Sequence, residues 1–216
     1  RGTAFRSKAF HNVAAGRQGD AEGIVDHAAA IRQLAAERPY LDIRRVGAFG
    51  VSNWTLPRVD EANAWAAAHG LAGFAAVSNN LSLARMTRPV WNGSLSVSDP
   101  TSRAWFRRTR VPLLAWSSQA RGFFTDRADP SGAVPPDLQR SWASPANYAR
   151  RARAYELAAK RGVEVIHVAL AYVLCQPFPT FALIGPRTLA ELRSSLAGLS
   201  LQLSPEELAW LDGTEE

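Results

Sequence analysis

Ser52-Asn53, Ser78-Asn79, Ser117-Ser118-Gln119 and Gly185-Pro186-Arg187-Thr188 place hydroxyls, amides and a guanidinium at the ends of apolar runs. Short polar side chains in such places serve either strand-end turn chemistry or hydrogen bonding to a ligand. The residues alone leave both roles open. Gly185, Arg187 and Thr188 also precede a segment of helical period, where free N–H groups and the helix dipole favour an anion. Metal chemistry has little to work with: Cys175 is the single cysteine, which excludes a disulfide framework and a thiolate cluster. It lies in the apolar run Leu170–Cys175 and reads as a small hydrophobe.

Composition narrows the classes. The chain has 216 residues, 47% of them hydrophobic and 20% charged, enough for one sizeable core. A formal charge of +6 invites a nucleic-acid reading, but the arginines are scattered rather than concentrated in a stripe. The densest stretch, Trp105–Arg110, reads as a helix end followed by a strand, so no nucleic-acid partner is expected. No run approaches the ~18 apolar residues of a membrane span, and the first twenty residues hold no apolar leader core. A soluble, cytoplasmic protein without membrane partners is the expectation.

Four β-compatible runs must position these groups: Val46–Val51, Phe74–Ser78, Pro112–Ser117 and Phe178–Ile184. Each is followed by helical periodicity, the pattern of repeated βα units and a parallel sheet. Helices are expected over Gly23–Glu37, over Leu56–His69 with Pro57 in the first turn and Gly70 as its stop, over Ala146–Arg161, and over Val165–Cys175. Thr188-x-x-Glu191 opens Leu189–Leu199 with a capping-box pattern, and Ser204-Pro205-Glu206-Glu207 opens a short last helix. Residues 79–100 and 125–145 are long, polar βα loops, which in a parallel barrel gather on the ligand-binding face. Trp91 and Trp142 would wall an apolar pocket there. Nothing marks a second domain or an internal repeat.

Gly50-Val51-Ser52-Asn53-Trp54 and Pro112–Phe124 (PLLAWSSQARGFF) are similar to the GVSN signature and the AYSPLGRGFL segment of the aldo-keto reductase family. Phe181–Leu196 (FALIGPRTLAELRSSL) resembles IPGARTPEQLRENL, and the tail LSLQLSPEELAWLD resembles LDLELSPEEL. They occur in the family's order on consecutive βα units from about Val46 to Asp212. The resemblance implies an α/β fold, a partial (β/α)8 TIM barrel made of roughly the last four βα units plus a C-terminal helix. The whole chain, 1–216, is expected to be one partial barrel, with 1–45 a divergent segment and helix and 46–216 the recognisable units.

It also implies a cofactor, NAD(P)H, and a small-molecule carbonyl substrate reduced by hydride transfer. Ser52, Asn53, Ser78 and Asn79 would orient the nicotinamide carboxamide, and Trp116 would stack on the ring where the family usually has Tyr. Ser117, Ser118, Gln119, Arg121 and Gly122 would fold over the pyrophosphate, although the family's Pro and Gly are replaced here. Gly185, Arg187 and Thr188 would take the adenosine phosphate end, and Ser195 the adenine. Glu191 stands where NADPH-preferring members commonly carry Arg, which leans the choice to NADH.

The family's general acid is a Tyr assisted by Lys, Asp and His. No Asp–Tyr–Lys set is found at strand ends here; Tyr40, Tyr148, Tyr155 and Tyr172 all fall in helical or linker contexts. His11 is the one candidate for the catalytic His, while His27, His69 and His167 read as surface or packed residues. A typical barrel of this type has about 250 residues. With no initiator Met and four strands, the expectation is a cofactor-binding half with a truncated or divergent N-terminal region. The alternative is a non-catalytic dinucleotide-binding or oligomerisation module. A half barrel exposes two sheet edges, so pairing into a homo-oligomer fits either.

Overall fold

A computed structural model of the chain describes residues 22–38, 40 and 49–213. The chain divides into two compact units, residues 1–48 and 49–216. In the first, helix α1 (Glu22–Glu37) forms where the apolar spacing predicted it, with Ile31 and Ala35 half-buried along one stripe. His11 and residues 46–48 of the first expected strand lie outside the described residues, as does the side chain of His27.

The second unit is built on four parallel strands in sequence order: β1 (Gly50–Ser52), β2 (Ala76–Ser78), β3 (Leu113–Ala115) and β4 (Thr180–Ala182). Gly50 opposes Ala76 so closely that a Cβ there would sit 2.5 Å from the Ala76 carbonyl oxygen. Only glycine permits that approach. Helices cross between the strands: α2 (Leu56–Ala68) after β1, α3 (Pro100–Thr109) after β2, and α4 (Pro136–Ser141), α5 (Pro145–Arg161) and α6 (Val165–Leu174) after β3. Two closing helices, α7 (Leu189–Ala197) and α8 (Pro205–Asp212), follow β4.

Local chemistry sets these boundaries. Asp99, Ser144, Thr188 and Ser204 each accept an N–H of the first helical turn, and Gly162 and Gly213 end α5 and α8 in the left-handed region. The Ser204–Glu207 box is complete. The expected Thr188–Glu191 box is only half made: Glu191 turns its carboxylate to the Arg187 N–H. Val77, Leu113 and Ala115 of the sheet share one core with Phe106, Leu157, Val168 and Leu211 of the helices. Trp142, expected to wall a pocket, is fully buried in that core.

Residues 125–145 are also more ordered than expected, holding a 3-10 turn at Asp126–Ala128 and all of α4. The 79–99 connection lacks regular helix, yet it is pinned along its length. Asn147 brackets Arg85 through both its N–H and its C=O, Thr87 is tied to the Ser141 carbonyl, and Asn80 is tied to Leu95 and Val97. Side-chain amides and buried carbonyls thus replace the missing ladder.

Candidate functional site

All four strands point their C-terminal ends the same way, so the polar residues that close them gather at one end of the sheet. Three strand-end serine hydroxyls donate sideways to the backbone of the next strand or just beyond it. Ser52 Oγ reaches the Ser78 carbonyl at 2.9 Å, Ser78 Oγ the Leu114 carbonyl at 3.0 Å, and Ser118 Oγ the Leu183 carbonyl at 2.9 Å. Latching of this kind compensates for strands only three residues long.

Asn53 takes a left-handed backbone, φ 56°, immediately after β1. Its N–H is shared between the Ser78 carbonyl and Asn79 Oδ1 (2.8 Å), while Asn79 Nδ2 donates to the Trp54 carbonyl at 3.0 Å. Asn79 is almost fully buried, with both ends of its amide engaged. It therefore holds the Asn53 turn in shape and has no free polar group aimed outward. Asn53 Oδ1 accepts from the Leu95 N–H, and its Nδ2 lies 3.4 Å from Ser52 Oγ.

Trp116 is buried directly after β3, and its indole N–H has no acceptor. Asn80 Oδ1, beside the Asn80–Trp116 bridge, has no donor. Two unmet buried polar atoms at one strand end cost of order 1–3 kcal/mol each, as do the Ser141 hydroxyl and the Trp142 indole N–H in the core. Asn80 was absent from the residues expected on sequence grounds, although its place in the Asn79-Asn80 doublet is the signal for it.

The β3 loop is strained. Ser117, Ala120 and Arg121 all have φ between 47° and 55°, beside Gly122 at 89°. Non-glycine residues in that region concentrate where function holds them. Gln119 reaches Ser195 of α7 across 3.4 Å, so the third and fourth expected cofactor segments meet. Ser117 and Gln119 are half-buried, Ser118 is buried, and Arg121 is exposed with Asp137 3.9 Å away. Gly185, Arg187 and Thr188 are exposed at the start of α7. There Glu191 accepts the Arg187 N–H, and its carboxylate lies 3.9 Å from the Arg187 guanidinium.

A Tyr–Asp–Arg trio does form, away from the strand ends. Tyr172 donates to Asp212 Oδ1 at 2.9 Å, and Arg103 binds both Tyr172 and Asp212. Burial and the neighbouring carboxylate raise the Tyr172 phenol well above its ordinary value. A proton donor to a carbonyl needs the opposite shift. Burial by itself raises Asp212, but hydrogen bonds and charge from Arg103, the Tyr172 hydroxyl and Arg85 prevail and hold it below 3.8. The trio binds α8 to α3 and α6. His167 is packed on α6, near Glu164 and Ser194.

An open groove between α5 and α8, lined by Glu156, Lys160, Glu206 and Trp210, includes none of the strand-end residues. Trp105 and Phe106 are buried, so the Trp105–Arg110 stretch offers no stacking platform for bases. Among the described residues no cluster of three metal-ligating side chains occurs, and no helix is long and apolar enough to cross a membrane.

The sequence model of the Aldo/keto reductase family matches residues 45–216. The uncharacterized oxidoreductase YrpG of Bacillus subtilis is 30% identical over 100 residues, 46% of this chain and 31% of its own length. Protein tas of Escherichia coli is 30% identical over 112 residues, 49% of this chain and 32% of its own length. The matched stretch thus spans about a third of these relatives. Among solved structures, the thermostable aldo-keto reductase Tm1743, determined with the inhibitor epalrestat, aligns over 77% of this chain and 47% of its own, with TM-score 0.52 and 17% identity. That likeness shows the fold: a parallel α/β sheet corresponding to part of a barrel.

Proposed function

Because this chain belongs to the aldo/keto reductase family, we propose that it is the dinucleotide-holding half of an NAD(P)H-dependent oxidoreductase that reduces an aldehyde or ketone. The observation that carries this is the meeting of four strand ends with a strained loop, joined to α7 through Gln119 and Ser195. When bound, the dinucleotide supplies the hydride. Ser52 and Asn53 hold its carboxamide, with Ser78 and Asn79 fixing their geometry from behind. Trp116 offers the ring a stacking surface. The Ser117–Gly122 loop and Arg121 follow the pyrophosphate, and Arg187 and Thr188 at the start of α7 meet the adenosine phosphate. Glu191 favours a ribose hydroxyl over a 2′-phosphate, and so NADH over NADPH.

The proton for the carbonyl oxygen has no donor among the tyrosines of these βα units. Tyr172 is committed to Asp212, Tyr155 to Arg151 and the Phe124 carbonyl, and Tyr148 packs on Phe123. In this function the acid comes from elsewhere in the complete enzyme, with His11 as the one candidate participant in this chain. Titration of intrinsic tryptophan fluorescence with NADH and NADPH tests the cofactor role. Saturable quenching is expected, tighter with NADH, and no response to either would sink it.

A second function, a non-catalytic dinucleotide-binding or oligomerisation module, draws on the outer strands. Phe49 beside β1 is 72% exposed and Phe181 on β4 57%, so both sheet edges present apolar surface. Turnover of a simple aldehyde by the complete protein would exclude it.

A further inference from the structure

Trp91 lies in the β2–α3 connection and stacks on Trp116, the ring centroids 4.7 Å apart and the planes tilted by 35°. Trp116 is 8% exposed and otherwise packed into the core, whereas Trp91 is 41% exposed. Trp91 therefore lies over one face of the Trp116 ring. Aromatic planes in contact stand about 3.5 Å apart, so a third ring between the two indoles needs a separation of about 7 Å. The observed 4.7 Å leaves no room for it.

The base of this connection is fixed and its tip is small. Val90 gives its carbonyl to Arg140 Nη2 at 2.6 Å, and Leu95 gives its N–H to Asn53 Oδ1 at 3.0 Å. Between them Trp91-Asn92-Gly93-Ser94 turns tightly, closed by the Ser94 N–H and hydroxyl on the Trp91 carbonyl, with Gly93 at φ 81°. One anchor is thus Asn53, the side chain assigned to the carboxamide, and the tip carries the ring that covers Trp116. Both groups needed by a nicotinamide are held by the same segment.

We propose that Trp91 is an intramolecular stand-in for the nicotinamide ring, stacked on Trp116 and displaced when the dinucleotide binds. The proposal rests on the cofactor role argued above. Its strength is that of an aromatic pair, so removing the competing ring tightens dinucleotide binding by about 2- to 10-fold.

The test compares the protein with W91A and W91F. Circular dichroism of the wild type should show an exciton couplet from the stacked indoles, absent in W91A and lost from the wild type on saturation with NADH. W91A should bind NADH and NADPH more tightly by the factor given, with W91F between, and an unfolding midpoint lowered by no more than the loss of one aromatic pair verifies that the substitution left the core intact. A couplet that persists in the saturated complex, or a W91A that binds no tighter than wild type, overturns the displacement and leaves the cofactor role standing. Binding by none of the three proteins overturns both.

Discussion

Asn79→Ala separates a residue that touches the cofactor from one that shapes its neighbours. Asn79 is 1% exposed and uses both ends of its amide, accepting from the Asn53 N–H and donating to the Trp54 carbonyl. Truncation does not orphan the Asn53 N–H, which keeps the Ser78 carbonyl at 3.1 Å. The Trp54 carbonyl loses its side-chain donor, and a small void opens behind β1. One lost hydrogen bond, one under-satisfied carbonyl and the void together cost about 2–3 kcal/mol. Asn53 sits at φ 56°, a left-handed turn that asparagine tolerates and whose orientation the Asn79 amide fixes, so its side chain drifts once the clamp is gone. The expected result is a urea midpoint lowered in proportion to that cost, together with NADH affinity weakened by roughly 10-fold. Asn79→Asp should be destabilised as well, because a carboxylate keeps the acceptor for Asn53 but turns a second acceptor on the Trp54 carbonyl. An Asn79→Ala protein with the wild-type midpoint and abolished NADH binding would refute the reasoning, since Asn79 would then be a ligand contact.

Three further outcomes follow from the charged groups. Asp212→Ala leaves buried Arg103 without its counterion and should cost about 3–5 kcal/mol, read by chemical denaturation; half-exposed Arg85 adds little. The carboxyl is held below 3.8 in the folded state, so its stabilisation is present above that value and is lost as pH falls through the depressed pKa. Asp212→Asn should flatten the acid limb of the stability profile, and an unaltered limb would count against the ion pair. Glu191→Arg replaces a carboxylate with a guanidinium at the start of α7 and frees the Arg187 N–H. The NADPH/NADH affinity ratio should rise by about 10- to 100-fold, the scale of one charge-assisted contact; an unchanged ratio would remove Glu191 from cofactor selection.

Much of the fold was legible because alternation, caps and stops are local. The Val46–Val51 and Phe74–Ser78 runs, Pro57, Gly70, Gly162 and Ser204 mark βα boundaries that need no knowledge of distant residues. What the sequence concealed was pairing over long separations. Glu191 fits a capping box by spacing, yet its carboxylate closes on Arg187. Trp142 looked like a loop aromatic, but α4 carries it into the core. The order of residues 79–99 depends on Asn147 and Arg140, about sixty and fifty residues away. No periodicity encodes such a clamp. In the site, residue types were legible and their directions were not: Ser78, Asn79 and Ser118 face neighbouring strands rather than outward.

Those directions sharpen what the open positions can bind. Ser52 has committed its proton to the Ser78 carbonyl, so its oxygen is left as an acceptor. Asn53 Oδ1 is taken by Leu95, while Nδ2 has only a 3.4 Å contact with that same oxygen. The pair therefore offers a ligand one lone pair and one N–H, side by side on a backbone turn that Asn79 fixes. A primary carboxamide carries the complementary donor and acceptor in one plane, whereas a carboxylate would meet the Ser52 lone pair with another. Under the proposed cofactor role, the two atoms that a sequence motif marks only as Ser-Asn would thus take an amide over an acid because of the hydrogen bonds made behind them.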